Sequence, residues 1–534
     1  MPFIDARKTD ANTVVHADVC IVGAGAAGIT LAKEFAGQHI RVVLLESGDV
    51  SFRHRPQLLY LGEDIGVENG STAVTRFRMF GGSTTRWAGQ CRPLDAIDFE
   101  QRESIPHSGW PFDRQELDPY YRRAHAIASL GPFDYDPSTW SSEAHGPLPA
   151  DSELLETIIY QFGFPTDFGQ RYRDDLQAAE NVHVYLNANV VEIEADADNH
   201  GVTGLRVATF NGRRMRIEAR HYVLACGGIE NARLLLASNR VFNQGLGNEH
   251  DLVGRFFMDH AYFVMGYFQP AKPEYDQNYY VIEDYALMGS EQKICAGFAL
   301  NERARRNEGL NGAAIYFNRR PRYKSLPEYY SRGVKSFIHL VDVLRHTQLP
   351  NRHFGRHLCN ALVGFRDVEK TLRRQLVDPW NPQPKQCLRA VIEATPDPES
   401  RVTLGERRDH FGMPRVRVDW RIEPSDKRGL SQLLAAMRHE FPRLGLGRLV
   451  EDPSEDEAGW PMSMTGGKHH MGTTRMHVDP HRGVVDPNCR VHGLSNLYVA
   501  GSSVFVTAGY ANPTLTIIAL AIRLADHLKA RMNP

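Results

Sequence analysis

Long hydrophobic runs are missing from this chain of 534 residues. The longest apolar stretch, around Leu515 to Leu524, falls short of the ~18 residues that a bilayer span needs. The residues from Met1 to Lys8 contain no apolar core of a secretory signal, so the expected location is the cytoplasm, with no membrane partner. An excess of either charge is also lacking. The formal net charge is −2, and basic pairs such as Arg319-Arg320 and Arg373-Arg374 are balanced by acids. A nucleic-acid role therefore has no electrostatic support. Cysteine is sparse: there are seven, an odd number, and none has Cys-x-x-Cys spacing. That argues against a disulfide framework and for reduced core thiols. Internal repeats and low-complexity segments are absent. His469, His470, His477, His481 and His492 lie close in sequence, but adjacent histidines rarely both reach one ion. Pro480 breaks any helix that would align His477 with His481, so no metal site is expected. What is present, 42% apolar residues over this length, suits a globular protein of two domains whose pieces can be interleaved.

Residues 18–22 are apolar and β-branched and end at Gly23, the pattern of a buried parallel strand. A helix is predicted from about Ala26 to Gly37, and a second strand from Ile40 to Glu46. The turn between the first strand and the helix is Gly23-Ala24-Gly25-Ala26-Ala27-Gly28. Gly23 permits a tight turn, Gly25 lets a pyrophosphate approach the backbone, and Gly28 lets the helix pack closely. The free N–H groups of the helix start would meet the phosphates. Glu46, at the end of the second strand, can accept hydrogen bonds from both ribose hydroxyls and would repel a 2′-phosphate. The motif implies a dinucleotide other than NADP; alone it leaves FAD and NAD equally open.

Further strands are predicted at Tyr222–Cys226 and Leu497–Ala500, with a helix from Ile229 to Ser238 and a last helix from Pro513 to about Ala530. Between residues 261 and 454 the texture changes to alternating strands, at Phe263 to Tyr267, Ala313 to Phe317 and Arg415 to Trp420. Two one-face helices are predicted there, over 334–344 and 365–376; they either pack on the sheet or meet a membrane surface or partner. Tyr275, Tyr279, Tyr280 and Tyr285 form an aromatic-rich loop that serves either sugar stacking or ordinary packing.

A second glycine cluster, Phe80-Gly81-Gly82-Ser83-Thr84-Thr85-Arg86-Trp87-Ala88-Gly89, can lie flat against a planar ring or be a surface turn. Trp87 tells against a flexible tip. Near the C-terminus stand His469-His470-Met471-Gly472-Thr473 and Asn512-Pro513-Thr514. Alcohol oxidation needs a proton acceptor, which histidine supplies, and an electron sink, which only a cofactor supplies. Asn512 can hold a substrate oxygen, or it can be the N-cap of the helix that Pro513 opens.

With these residues in view, the chain resembles the glucose–methanol–choline (GMC) oxidoreductases over four blocks: Gly23–Glu46, Gly81–Gly89, Tyr222–Ser238 and His469–Asp526. The resemblance implies an α/β fold: a Rossmann-like FAD-binding domain with an interleaved α+β substrate domain built on an antiparallel sheet. The expected division is 15–260 for FAD, with inserted cap segments at about 95–180, then 261–454 for substrate, then 455–534 for the returning FAD part with the catalytic residues. It makes His469 the base of a His-x-x-Gly-Thr motif, with His470 as the fallback, and Asn512 its partner. A His/Asn pair is similar to that of pyranose 2-oxidases and choline oxidases. FAD contacts are implied at Gly23, Gly25, Gly28, Glu46, Ser47, Gly81, Gly82, Ser83, Trp87, Gly89, Val191, Gly501, Pro513 and Thr514. Arg86 precedes Trp87, where some relatives carry a flavin-linked histidine, so the FAD is expected to be non-covalent. The implied activity is oxidation of an alcohol, foremost a secondary hydroxyl of a sugar or glycoside as in pyranose oxidases and glycoside 3-oxidases. Oxygen or another acceptor would take the electrons. A lyase on the same scaffold, or an oxidase of a non-sugar alcohol, is the competing reading.

Overall fold

The computed structural model describes residues 3–532. Left out are 68–70, 142–145, 149–151, 165, 197, 199, 273–277, 281–292, 320–335, 338–339, 341–353, 366–368, 370–385, 452–459 and 461–463. The helices expected over 334–344 and 365–376, and Tyr275 and Tyr285, fall largely or wholly outside what is described.

The apolar run that ends at Gly23 becomes the strand Thr13–Val22, whose Val19, Cys20 and Ile21 are fully buried. Side chains enclosed on both faces require a central position, and the strand has one. It pairs in parallel with Val42–Leu45 on one side and with Arg214–Leu224 on the other. The sheet has eight strands: Phe3–Asp5, Val182–Leu186, Val42–Leu45, Thr13–Val22, Arg214–Leu224, Gly201–Ala208 and Asn189–Asp196 in that order, with Leu497–Val499 off the path. The Arg214–Leu224 strand divides its outer edge. Its first part pairs antiparallel with Gly201–Ala208 and its last residues pair in parallel with Leu497–Val499. The C-terminal segment thus enters the sheet that the N-terminal segment founds. The last helix, Thr514–Met532, packs on Ala26–Phe35 and on Arg114–Ala128.

A second eight-stranded sheet is antiparallel throughout. Its order is Gly447–Glu451, Ala261–Pro270, Gln386–Ile392, Ala313–Arg319, Lys293–Leu300, Leu155–Phe162 and Gln90–Cys91, and Thr465–Gly466 pairs with Ala261–Pro270. One face carries Ile158, Tyr160, Tyr262, Cys295, Tyr316 and Val391, packed with Tyr510 of the closing segment. The strand predicted at Arg415–Trp420 exists, as Pro414–Asp419, but belongs to a separate three-stranded sheet with Arg401–Arg408 and Glu63–Asp64. The architecture is the α/β fold with an antiparallel second sheet. Among the described residues no helix is long and apolar enough to cross a membrane, no group of side chains could hold a metal ion, and every cysteine is free.

Of the tyrosine loop, the two described residues, Tyr279 and Tyr280, are packed into the core. Tyr280 is fully buried, stacked on Phe298 at 4.4 Å, and its hydroxyl accepts from Leu148 N at 3.0 Å. Tyr279 is buried beside it. Neither ring is available for a sugar.

Candidate active site

The first glycine turn has the geometry of a phosphate cradle. Gly23 has φ +103°, and a Cβ there would come within 2.6 Å of Ala225 O. A Cβ on Gly28 would lie 1.9 Å from Gly23 O. At Gly25 a Cβ meets nothing within 4 Å, so the turn opens onto free space just where the helix Ala26–Phe35 begins. The second glycine cluster lies against the first: Gly81 N donates to Ala24 O at 2.9 Å, and a Cβ on Gly82 would reach within 2.9 Å of Gly25 Cα. Ser83 is exposed within the short turn Gly82–Thr85. The Trp87 indole donates to Thr166 O at 2.7 Å, and Gly89 O accepts from Gly163 N at 3.0 Å.

A cavity continues from the turn. Val22, Gly23, Glu46, Ser47, Arg78, Asn189, Val190, Cys226, Glu230, Arg233, Asp409, Phe411 and Met413 are among its lining residues. Glu46 is buried and accepts from Ala24 N at 3.0 Å and from Gly48 N at 2.7 Å, which fixes the carboxylate at the strand's end. Asn189 and Val190 line the cavity from this strand, and the predicted Val191 is the next residue along. Sequence reading also missed the ionic wall. Glu230 binds Arg76 (2.9 Å), Arg78 (2.8 Å) and Arg233 (3.2 Å). Burial alone would raise its pKa, but the three guanidinium groups hold it at about 2.

His469 and Asn512 are brought to one place by a residue that no motif flagged. The ring of Tyr262 lies 6.1 Å from that of His469, and its hydroxyl donates to Asn512 Oδ1 at 3.0 Å. The Asn512 amide donates to Gln90 O (3.1 Å) and Gln90 Oε1 (3.2 Å). Its side chain therefore reaches toward the second sheet, instead of serving as the cap considered above. Pro513 is buried, and its carbonyl accepts from Ile517 N at 2.9 Å, so the helix starts beside the site with Thr514 as first residue. Gly501, φ +102°, turns the chain out of the strand Leu497–Val499, and a Cβ on it would meet nothing within 4 Å.

The His469 loop is pinned on both sides. Met471 N donates to Met258 O (2.9 Å), Gly472 N to Ser502 O (3.1 Å), and His469 N to Asp259 Oδ1 (2.7 Å). Half-buried His469 faces buried His260, with 2.9 Å between the two Nδ1 atoms. Burial, together with the neighbouring His260, His470 and Arg389, holds the His469 pKa well below the usual histidine range. His470 points elsewhere. Its ring packs on Phe257 at 5.7 Å, and burial with the charges of Arg76 and Lys468 pushes its pKa down to about 3.

Two family models match two stretches of the chain. One, described as FAD dependent oxidoreductase, covers residues 18–244; the other, described as GMC oxidoreductase, covers residues 396–521. The chain is an FAD-dependent oxidoreductase, and its C-terminal part matches the GMC oxidoreductases. It is 26% identical to 6'''-hydroxyparomomycin C oxidase of Streptomyces lividus, over 96% of this chain and 92% of that one. It is 24% identical to the fructose dehydrogenase large subunit of Gluconobacter japonicus, over 96% and 98%. A C-glycoside 3-oxidase of Microbacterium trichothecenolyticum is 33% identical over 22% of each chain. Among solved structures, pyridoxine 4-oxidase from Mesorbium loti shares the fold with a TM-score of 0.57 and 16% identity, over 96% of this chain and 99% of that one. The residues of this chain fit FAD. The open space at Gly25, the carboxylate of Glu46 and the cavity that runs on to Val190 are the features a dinucleotide needs.

Proposed function

We propose that this enzyme oxidises a secondary hydroxyl of a sugar or glycoside, at position 2 or 3 of a pyranose ring, with His469 as the base. The observation that carries the site assignment is Tyr262, which touches the His469 ring with its own ring and Asn512 with its hydroxyl. A hydroxyl group placed against Tyr262 would meet an imidazole and an amide together. The carbohydrate assignment draws support from relatives named for oxidising a hydroxyparomomycin, dehydrogenating fructose and oxidising C-glycosides.

On this reading residues 261–454 furnish the substrate side, and the segments before and after it hold FAD without a covalent bond. Gly23, Gly25 and Gly28 would take the pyrophosphate, Glu46 the ribose, and Gly81 and Gly82 the region next to them. Bound FAD supplies the electron sink that accepts the carbinol hydride. His469, neutral because of its surroundings, takes the hydroxyl proton. Asn512, oriented by Tyr262 and Gln90, holds the substrate oxygen. The electrons leave to oxygen or another acceptor.

His469→Ala is expected to slow flavin reduction by roughly 10²–10⁴-fold while FAD stays bound. Anaerobic stopped-flow with a panel of sugars, glycosides and simple alcohols measures it. Reduction at the parent rate would refute the base. Bleaching by simple alcohols alone would refute the carbohydrate assignment, and cleavage of a hydroxynitrile without bleaching would favour a lyase.

A further inference from the structure

We infer that His260 fixes the tautomer of His469 and thereby leaves the Nε2 lone pair of His469 free for the substrate proton. The inference rests on His469 being the base and names the residue that makes it one.

A chain of donors and acceptors sets where the protons lie. His260 Nε2 lies 2.9 Å from Gly509 O. A carbonyl oxygen only accepts, so His260 Nε2 carries a hydrogen. His260 is fully buried, and burial pushes its pKa down to about 4, so near neutral pH the ring holds a single proton. Its Nδ1 is then a lone pair, and it stands 2.9 Å from His469 Nδ1. Two lone pairs at that distance repel, so the hydrogen must be on His469 Nδ1. A neutral imidazole has one such hydrogen, and Nε2 of His469 is left as the basic atom. Hydrogen-bond logic, rather than observed hydrogens, makes the assignment.

The surroundings hold this arrangement. The rings of His260 and His469 meet edge to face at 5.0 Å and an interplanar angle of 90°. Asp259 accepts from the backbone of Lys468 (3.1 Å) and His469 (2.7 Å) and stands 4.0 Å from His470 Nε2. The titratable and charged groups around the pair are Asp259, Tyr262, Arg389, Glu393 and His470. When the substrate hydroxyl loses its proton, Nε2 gains it, and the resulting imidazolium keeps its Nδ1–H on His260. Gly509 lies in the segment that leads to Asn512, so one stretch of chain sets both the base's tautomer and the oxygen's holder. His260 does not touch substrate; it is a positioning residue.

The test compares His260→Leu with His260→Gln in the FAD-loaded enzyme, by anaerobic reduction with D-glucose or the panel glycoside that bleaches the parent fastest. Leucine removes the acceptor. Glutamine can accept from His469 Nδ1–H through its oxygen and donate to Gly509 through its nitrogen. The expected result is a reduction rate about 10–100-fold lower for leucine, restored to within a few fold by glutamine, with KM and FAD content near the parent's. Leucine at the parent rate, or both variants equally slow, would overturn the inference. Should the leucine variant fail to fold, ¹⁵N-histidine NMR of the parent holoenzyme decides, with the His469 signals identified by their loss in His469→Gln. A hydrogen on Nδ1 supports the assignment and one on Nε2 overturns it. If His469→Ala keeps the parent rate, the base reading itself fails. If that variant is inactive while His260→Leu is not, only the tautomer inference falls.

Discussion

Single glycines make the cofactor site testable, because two of them do opposite things. A Cβ at Gly28 would lie 1.9 Å from Gly23 O, so Gly28→Ala forces backbone apart and is expected to cost about 1–3 kcal/mol of stability. A Cβ at Gly25 meets nothing within 4 Å, and its φ of −88° suits alanine. Gly25→Ala should therefore melt like the parent yet bind FAD at least about tenfold more weakly, a loss of ~1.4 kcal/mol, because the methyl occupies pyrophosphate space. Thermal melts and FAD titration of the stripped protein check both, and unchanged FAD affinity in Gly25→Ala would disprove the cradle. Such glycines were legible in the sequence because they stand at set spacing between a strand and a helix. Glu46 was legible because it ends a strand at a set distance from them. His260 was not. It is 209 positions from His469, and no spacing rule connects the two until the strand Ala261–Pro270 and the loop of His469 lie side by side. Tyr262 and Gln90 escaped notice for the same reason.

The helix Gly227–Ala237 shows how an element can carry more than its periodicity discloses. The sequence predicts it as a helix after a parallel strand, and it is one. What the sequence hides is the charge it gathers. Glu230, in its first turn, meets Arg76 and Arg78 from one loop, while Arg233 reaches Asp409 at 2.7 Å in the turn of the small three-stranded sheet. One buried carboxylate thus ties three elements together beside the FAD cavity. Glu230→Gln leaves the guanidinium groups short of a counter-charge. A carboxyl moved from 4.5 to about 2 stabilises the fold by about 3 kcal/mol above the ordinary carboxylate range. The sign is clear: the contribution is intact above pH 4.5 and fades as pH falls toward 2. Chemical denaturation should show the variant weaker by that amount at neutral pH, with the gap to the parent closing in acid. A gap that stays constant with pH would mean that charge is not its source. The strand Pro414–Asp419 was recognisable in the sequence as a strand, but its sheet was not, since pairing partners are a tertiary choice.

At the scale of the whole molecule, the proposed FAD site is a meeting place. Its lining comes from the ends of Thr13–Val22 and Val42–Leu45, the loop with Arg78, the start of Asn189–Asp196, the helix Gly227–Ala237 and the turn from Asp409 to Met413. The segment from Gly501 to Asn512 reaches the strand Gln90–Cys91, just after the second glycine cluster, through the hydrogen bond from Asn512 to Gln90 O. No single segment supplies the whole lining, so the linkage applies to a ligand that binds the folded chain and not the unfolded one. Binding free energy is therefore added to folding free energy. With free FAD at about 100 times its dissociation constant, the linkage gives about 2.7 kcal/mol. Melting of the stripped protein should move up by a few degrees as FAD is added, and it should continue to rise with concentration past saturation, since each tenfold excess adds ~1.4 kcal/mol. ADP, which reaches only the Glu46 half of the cavity, should produce a smaller rise. Differential scanning fluorimetry with FAD, ADP and NAD distinguishes the cases. A melting temperature indifferent to FAD would mean that the cavity between these segments is not where the cofactor binds. An equal response to NAD would mean that the fold does not discriminate between the two dinucleotides.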